Sequence, residues 1–423
     1  MSATLITGAR LVDPASGHDG PANIRIEDGR IAEIGDALPA GPDDEVVSAR
    51  GRVVAPALVD LRAHCAEPGG SGAESLDTLM AAAASSGIGT ITLSPLSGTG
   101  ISRPEHIELI AARALTAPVR LAAAGLATSD GIEINEIGLM LRAGAGLVGD
   151  GGRPIADTRL IRRLLAYASG FDAWVSLSPE DPFLSAGTIA HESDMSVRMG
   201  LPVRPGVSER IGIERVAALA ELTGALVLFD RVSTAEGLAA VAAARRRGLE
   251  IAASVPATHL MFNEVDMGGF DPRHRLDPPL RAESDREALI TAISEGLIEA
   301  VVSDHLALPA DAKANPFSDA VPGSASIEAL LPALCTLYAE GRLSLLEALR
   351  PVTSGPADLL GVQQGRIAEG APADLIVFDP QAPVVHGRDG PVSQAPSAFS
   401  GRRLHGLVLL TMVEGAIVHQ AET

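Results

Sequence analysis

Apolar and polar residues alternate over short distances near both ends of the chain and in longer blocks through its middle. In residues 1–55, the runs Leu5–Thr7, Ala9–Val12, Ile24–Ile26, Ile31–Ile34 and Val46–Val47 are separated by Gly, Asp and Pro. That is the pattern of short strands joined by tight turns. Asp28-Gly29 between two such runs predicts a hairpin. The far end has the same texture: Leu375–Phe378, Leu407–Met412 and Ala416–Val418 read as strands, with Glu414-Gly415 as a turn. Between the ends, apolar strand-like runs at Leu58–Ala63, Thr90–Ser94, Arg120–Ala123, Gly146–Val148, Trp174–Ser178, Leu226–Asp230, Glu250–Ala253 and Ala300–Ser303 alternate with helix-like segments such as Ile161–Ala168, Ala235–Arg247 and Arg286–Glu295. Ser233-Thr-Ala-Glu236 predicts a capping box at the start of one helix. Eight strands alternating with helices over about 300 residues predict a (β/α)8 barrel. The expected architecture is an α/β chain: a TIM-like barrel over residues 56–355 and a small β-sandwich domain built from both termini, residues 1–55 and 356–423. An open doubly wound sheet competes with it, but no Gly-x-Gly-x-x-Gly follows the first strand of the middle region.

Hydrophobic residues make up 46% of the 423 positions and aromatics only 3%. The core must therefore be built from Ala, Val, Leu and Ile. A formal charge of −20 argues against a nucleic-acid partner, which would call for a basic patch. The one basic run, Arg245-Arg246-Arg247, fits the last turn of a helix stopped by Gly248. Two cysteines, Cys65 and Cys335, exclude a disulfide scaffold and predict a reducing, cytoplasmic setting. Neither a signal-like N-terminus nor a window of about 18 apolar residues is found.

The chemistry concentrates at the carboxyl ends of the predicted strands, where barrels of this kind carry their sites. Along the first strand, Asp60, Arg62 and His64 share one side because side chains repeat every two residues. A metal centre built there would want imidazole at both 62 and 64, but Arg62 is a permanent cation and cannot ligate. The other strand ends supply Gly149-Asp150-Gly151-Gly152, Ser178, Asp230-Arg231, His259 and Asp304-His305. Two guanidinium groups, Arg62 and Arg231, beside a divalent cation would be strongly repulsive at low dielectric. An unpaired buried charge is also costly, so Arg62, Arg231 and Asp304 are expected to pair with one another.

In order along the chain, Asp60–Gly69, Gly149–Pro154, Pro278–Arg281, Asp304-His305 and Gly365–Leu375 resemble the marker motifs of the dihydroorotase branch of the amidohydrolase superfamily. The resemblance covers nearly the whole chain and implies a barrel joined to a sandwich made from both termini. It also implies departures. The two first-strand His ligands align with Arg62 and His64, and the substrate-gripping Arg with Ala66. The bridging Asp aligns with Gly151, the fifth- and sixth-strand His with Ser178 and Arg231, and the substrate-binding Asn residues with Leu96 and Asp277. Only His64 and Asp304 survive from the metal shell.

On that resemblance the zinc is lost, no cofactor is expected, and Arg62, His64, Gly151, Ser178, Arg231, His259, Asp277 and Asp304 line a vestigial pocket. The chain is then expected to be a pseudoenzyme, similar to the inactive dihydroorotase homologues that assemble with the aspartate carbamoyltransferase catalytic chain in pyrimidine biosynthesis, and to form a homo-dimer or higher oligomer. Two alternatives compete: an active cyclic-amide hydrolase of dihydroorotase or hydantoinase type with a rearranged site, and a small-anion-binding module. Residues 308–323 are expected to form a long loop.

Overall fold

The computed structural model describes residues 3–70, 72–387 and 392–421. One eight-stranded sheet unites the two ends of the chain. Its order is Ala416–Gln420, Arg403–Val413, Leu375–Val385, Val53–Pro56, Thr4–Asp13, His18–Glu27 and Arg30–Gly35, with Glu45–Ser48 also pairing on Thr4–Asp13. The runs Leu5–Thr7 and Ala9–Val12 are one strand whose register shifts between Ile6 and Ala9. Asp28 and Gly29 both take positive φ, 49° and 76°, and join Glu27 to Arg30 across the predicted hairpin. Ile6, Leu11, Ile24 and Leu375 pack together in the sandwich core, which therefore draws on both termini.

The second sheet is the barrel. Its strands are Leu58–His64, Ile88–Leu93, Arg120–Leu126, Leu147–Gly149, Val175–Leu177, Val227–Phe229, Ile251–Pro256 and Ala300–Val302, with His305–Leu306 completing the eighth. All pair in parallel, as strands linked by crossover helices must. Val59, Leu61, Ala124, Leu147, Leu228, Ala252 and Val302 form one buried apolar cluster, so small and branched side chains do the work that aromatics would do elsewhere. The eighth strand is broken. Ala300–Val302 pairs with the seventh strand and His305–Leu306 with the first. The ring closes across Ser303-Asp304, and Asp304 sits at the break with φ 48°.

Two local features differ from the pattern expected of the sequence, and the long loop expected at residues 308–323 is present. Between the fifth and sixth strands the chain makes an excursion through Pro182–Ser185, a two-stranded parallel sheet (Ala190–His191 with Val203–Arg204) and Asp194–Arg198 before the helix Val207–Thr223. The predicted capping box at Ser233 is not made. Thr234 is the N-cap, accepting from the Gly237 N–H, while Ser233 donates to the buried carboxylate of Glu209. Residues 308–323 are anchored, because Lys313 in the turn Ala310–Lys313 donates to the carbonyls of Pro272 and Arg275. Burial pushes that ammonium down to about 8. No helix among the described residues is long and apolar enough to cross a membrane.

Candidate functional site

A cavity of about 300 Å³ opens at the carboxyl ends of the barrel strands. The first strand carries Arg62 and His64 to its floor, and its parity is fixed by Asp60, which is fully buried. The Asp60 carboxylate accepts from the Arg62 N–H and from the N–H and hydroxyl of Ser303, tying the first strand to the break in the eighth. Burial, partly offset by those bonds, raises the Asp60 carboxyl to about 6.

Arg62 is held on three sides. Nε donates to Asp304 at 2.7 Å, Nη1 to Asp230 at 2.6 Å and Nη2 to the carbonyl of Gly151 at 3.1 Å. Arg231 donates through Nη1 to the Asp277 carbonyl and, at 3.3 Å, to the other oxygen of Asp304. Its Nε lies 3.6 Å from Asp230 but is buried without a hydrogen-bond acceptor. Burial works against the Arg231 charge; Asp304 and Asp230 outweigh it, and the guanidinium pKa is raised. The four groups form two cations and two anions at convergent strand ends, an arrangement in which each charge meets an opposite one.

Backbone conformation aims this cluster. Arg231 has φ 65° and Asp304 φ 48°, both in the left-handed region that costs a side-chain-bearing residue about 1 kcal/mol or more. The loop after the fourth strand closes over the guanidinium groups. At Gly152 (φ 98°) an added Cβ would lie 2.5 Å from Arg231 Nη2 and 3.2 Å from Arg62 Nη2, and at Gly151 it would meet Leu96 at 2.6 Å. Glycine at both positions is what lets the loop approach. Asp150, fully buried, pins that loop by accepting from Gly152 N, Ser178 N and Ser178 Oγ, and burial raises its carboxyl to about 6.

His64 places Nε2 3.0 Å from the carbonyl of Leu96. A carbonyl only accepts, so Nε2 carries the proton and Nδ1 holds the lone pair. Burial depresses the His64 pKa, which keeps the ring neutral at neutral pH.

Of the residues singled out in the sequence, Arg62, His64, Gly151, Arg231, Asp277 and Asp304 line this one cavity. Ser178 and His259 do not. Ser178 serves Asp150, and His259 is buried with Nε2 on the Pro279 carbonyl, its pKa lowered to about 4 by burial. Asp150 and Asp230 stand among the strand-end residues read from the sequence but not among those assigned to the pocket, and Arg153 was not singled out. The acid preceding Arg231 was the available signal, but adjacent strand residues point to opposite faces; the positive φ at Arg231 breaks that parity. Behind Asp277 lies a second charge network: Arg204 binds Glu180 at 2.6 Å and Asp277 at 2.9 Å, and Arg281 binds Glu209 at 3.2 Å.

The zinc implied by the family resemblance does not fit these donors. Among the described residues no group of three or more His, Cys, Asp or Glu is placed to hold a metal ion. His64 Nε2 is committed to a carbonyl, both Asp304 oxygens face guanidinium groups, and two fixed cations stand beside them.

Residues 71–419 match the Amidohydrolase family. The chain is 34% identical over 422 residues to the Dihydroorotase-like protein of Pseudomonas aeruginosa, covering 98% of this chain and 99% of that one. It is 33% identical over 437 residues to the Dihydroorotase of Anaeromyxobacter dehalogenans, covering 99% and 98%. Among solved structures, a D-hydantoinase superposes with a TM-score of 0.86 at 22% identity, covering 99% of this chain and 95% of that one. The dihydropyrimidinase of Brevibacillus agri gives 0.85 at 22% identity with the same coverage. These neighbours share the fold. The expectation of a pseudoenzyme is corrected by the relatives: proteins a third identical over nearly the full length are described as dihydroorotases, which points to a hydrolase. The physical reason lies in what the substitutions remove. They remove a metal-ligand set but leave a cavity with a neutral imidazole, a carboxylate and buried cations.

Proposed function

From the premise that this chain belongs to the amidohydrolase family, we propose that it is a cyclic-amide hydrolase of the dihydroorotase or hydantoinase type with a rearranged pocket. The observation that carries the reading is Arg231: a buried cation lining the cavity whose Nε takes no hydrogen-bond acceptor among the described residues. In this reading Arg231 polarises the ring carbonyl and stabilises the oxyanion, the role that preorganised donors fill in amide hydrolysis. His64 Nδ1 takes the proton of the attacking water. Water oxygen bonds to the carbonyl carbon, the C–N bond breaks, and the proton passes to the departing nitrogen, opening the ring. Asp304 holds both guanidinium groups in place.

Purified protein is to be assayed with five- and six-membered cyclic amides and with the reverse, ring-closing reaction. Arg231→Gln and His64→Gln are each expected to lower turnover by about 100-fold or more. Absence of ring opening with every substrate, or turnover indifferent to both variants, would overturn the reading. Because the His64 pKa is lowered, the rate is expected to hold through neutral pH and to fall only on acidification below the ordinary imidazole range.

We also propose, on the motif resemblance, that the aspartate carbamoyltransferase catalytic chain is a partner in the cytoplasm. This is a claim about assembly and does not depend on the chemistry. Co-elution of the two purified chains as one complex tests it, and separate elution at all mixing ratios rejects it.

A further inference from the structure

Opposite charges alternate in an unbroken row from the excursion after the fifth strand into the cavity. Glu209 meets Arg281 at 3.2 Å, Arg281 meets Glu180 at 3.5 Å, and Glu180 meets Arg204 at 2.6 Å. Arg204 meets Asp277 at 2.9 Å, and beyond Asp277 stand Arg231, Asp304, Arg62 and Asp230. The chemistry proposed above draws on only the inner members of this row. The outer ones, Glu209, Arg281, Glu180 and Arg204, are all buried. Apolar side chains of similar volume would stabilise the fold as well or better, so stability alone is a weak reason for four buried charges there.

Asp277 is the joint between the two halves of the row. Its backbone carbonyl accepts from Arg231 Nη1, while its carboxylate faces Arg204. Arg204 Nη1 directs its hydrogens to the two Glu180 oxygens, at 2.6 and 2.7 Å, and Asp277 Oδ1 has no hydrogen-bond partner. Charge, not a well-aligned hydrogen bond, therefore keeps the carboxylate on Arg204. The Asp277 side chain is 40% exposed and lines the same cavity as Arg231. Burial raises its carboxyl, but Arg204 and then Arg231 outweigh burial and hold it below the ordinary range, so it is an anion at neutral pH. The inner groups, Arg62 and Arg231 against Asp230 and Asp304, already balance. A third, uncompensated carboxylate would tip the cavity negative and repel any charge developing on an oxygen there.

We infer that Arg204 is a positioning residue: it holds and neutralises the Asp277 carboxylate, keeping that anion off Arg231 and leaving the Arg231 charge to act on an oxyanion in the cavity. The inference rests on the proposed hydrolysis for the identity of the oxyanion, and on the charges alone for the rest. Arg204 is well fixed for holding another group. Its Nε donates to Thr188 Oγ1 at 2.8 Å, its Nη1 grips Glu180, and its carbonyl accepts from Arg281 Nη1 at 3.4 Å. The strand that carries it, Val203–Arg204, is pinned in turn by pairing with Ala190–His191. The excursion between the fifth and sixth strands thus delivers one fixed cation to the back of the site.

The test uses the full chain and two separate readouts. Formate, a small planar anion, is titrated and its dissociation constant taken from the thermal shift; ring opening is assayed with the cyclic amides. The parent protein is expected to take up formate saturably. Arg204→Met is expected to weaken formate binding by about ten-fold or more, because it leaves the Asp277 charge unbalanced beside the cavity. It is also expected to lower kcat more than it raises KM, and Arg204→Lys is expected to recover part of both. Adding Asp277→Ala to Arg204→Met removes the unbalanced anion and is expected to recover formate binding, a non-additive result that misfolding could not produce. A parent protein that takes up no formate overturns the inference, as does an Arg204→Met protein with unchanged formate affinity, or a loss that Asp277→Ala leaves in place. The expected formate series in a parent protein without ring opening supports the inference and counts against the hydrolase alone.

Discussion

At the scale of single residues, the pocket rests on Arg62 and on the absence of a side chain at Gly152. Removing Arg62 leaves Asp230, whose side chain is 7% exposed, without its closest counter-ion. Arg62→Leu is therefore expected to cost about 3–5 kcal/mol of unfolding free energy in urea denaturation. Arg62→Leu with Asp230→Leu is expected to cost less than the sum of the two single changes, because the second removes the orphaned charge created by the first. Gly152→Ala would drive a methyl group into both guanidinium groups at a φ of 98°. It is expected to cost about 1–3 kcal/mol and to lower ring-opening activity together with stability. The convergence of Arg62, Arg231 and Asp304 was legible in the sequence, since all three stand at strand ends of one barrel. Asp230 was legible as a strand-end acid, but its pairing with Arg62 was not, because it depends on a backbone φ at its neighbour that no side-chain pattern announces.

At the scale of elements, strand ends and loops are locked by buried carboxylates. Asp60 ties the first strand to the eighth, and Asp150 ties the fourth-strand loop to the fifth strand. Both carboxyls stand at about 6 in the fold, above the ordinary range near 4. The folded chain thus binds protons more tightly than the unfolded chain between those values. Their contribution to stability is greatest in acid and is lost as pH rises from about 4 to about 6. Asp150→Asn is expected to flatten that part of the stability–pH curve in thermal melts. It is also expected to cost about 1–3 kcal/mol, because an amide cannot accept from the Ser178 N–H and the Ser178 hydroxyl through two oxygens. The eight barrel strands and the terminal sheet were readable from alternation and turn residues. The excursion between the fifth and sixth strands was hidden by its size: strands of two residues and helices of four or five leave no period to detect. The break in the eighth strand was hidden for a related reason, since Ser303-Asp304 continues an apolar run without Gly or Pro.

At the scale of the whole molecule, barrel and sandwich are joined by specific polar contacts as well as by apolar packing. Arg120, opening the third barrel strand, binds Asp374 and Glu414, each at 2.8 Å, and Thr411 Oγ1 donates to the Ala84 carbonyl. Arg120→Met leaves the buried Asp374 carboxylate short of a donor. A loss of about 1–3 kcal/mol in a thermal melt is expected, with ring-opening rate per folded molecule unchanged, because Arg120 is remote from the cavity. The terminal sheet has a consequence for how the chain is made. Val53–Pro56 lies between Thr4–Asp13, made just before it, and Leu375–Val385, made after the entire barrel. At ordinary translation speeds the second neighbour follows on the order of half a minute later. Throughout that interval the nascent amino-terminal strands present an open, wholly apolar edge to the surrounding medium. Slowing the ribosome within the barrel's coding region would lengthen this exposure, and demand on chaperones would rise with it.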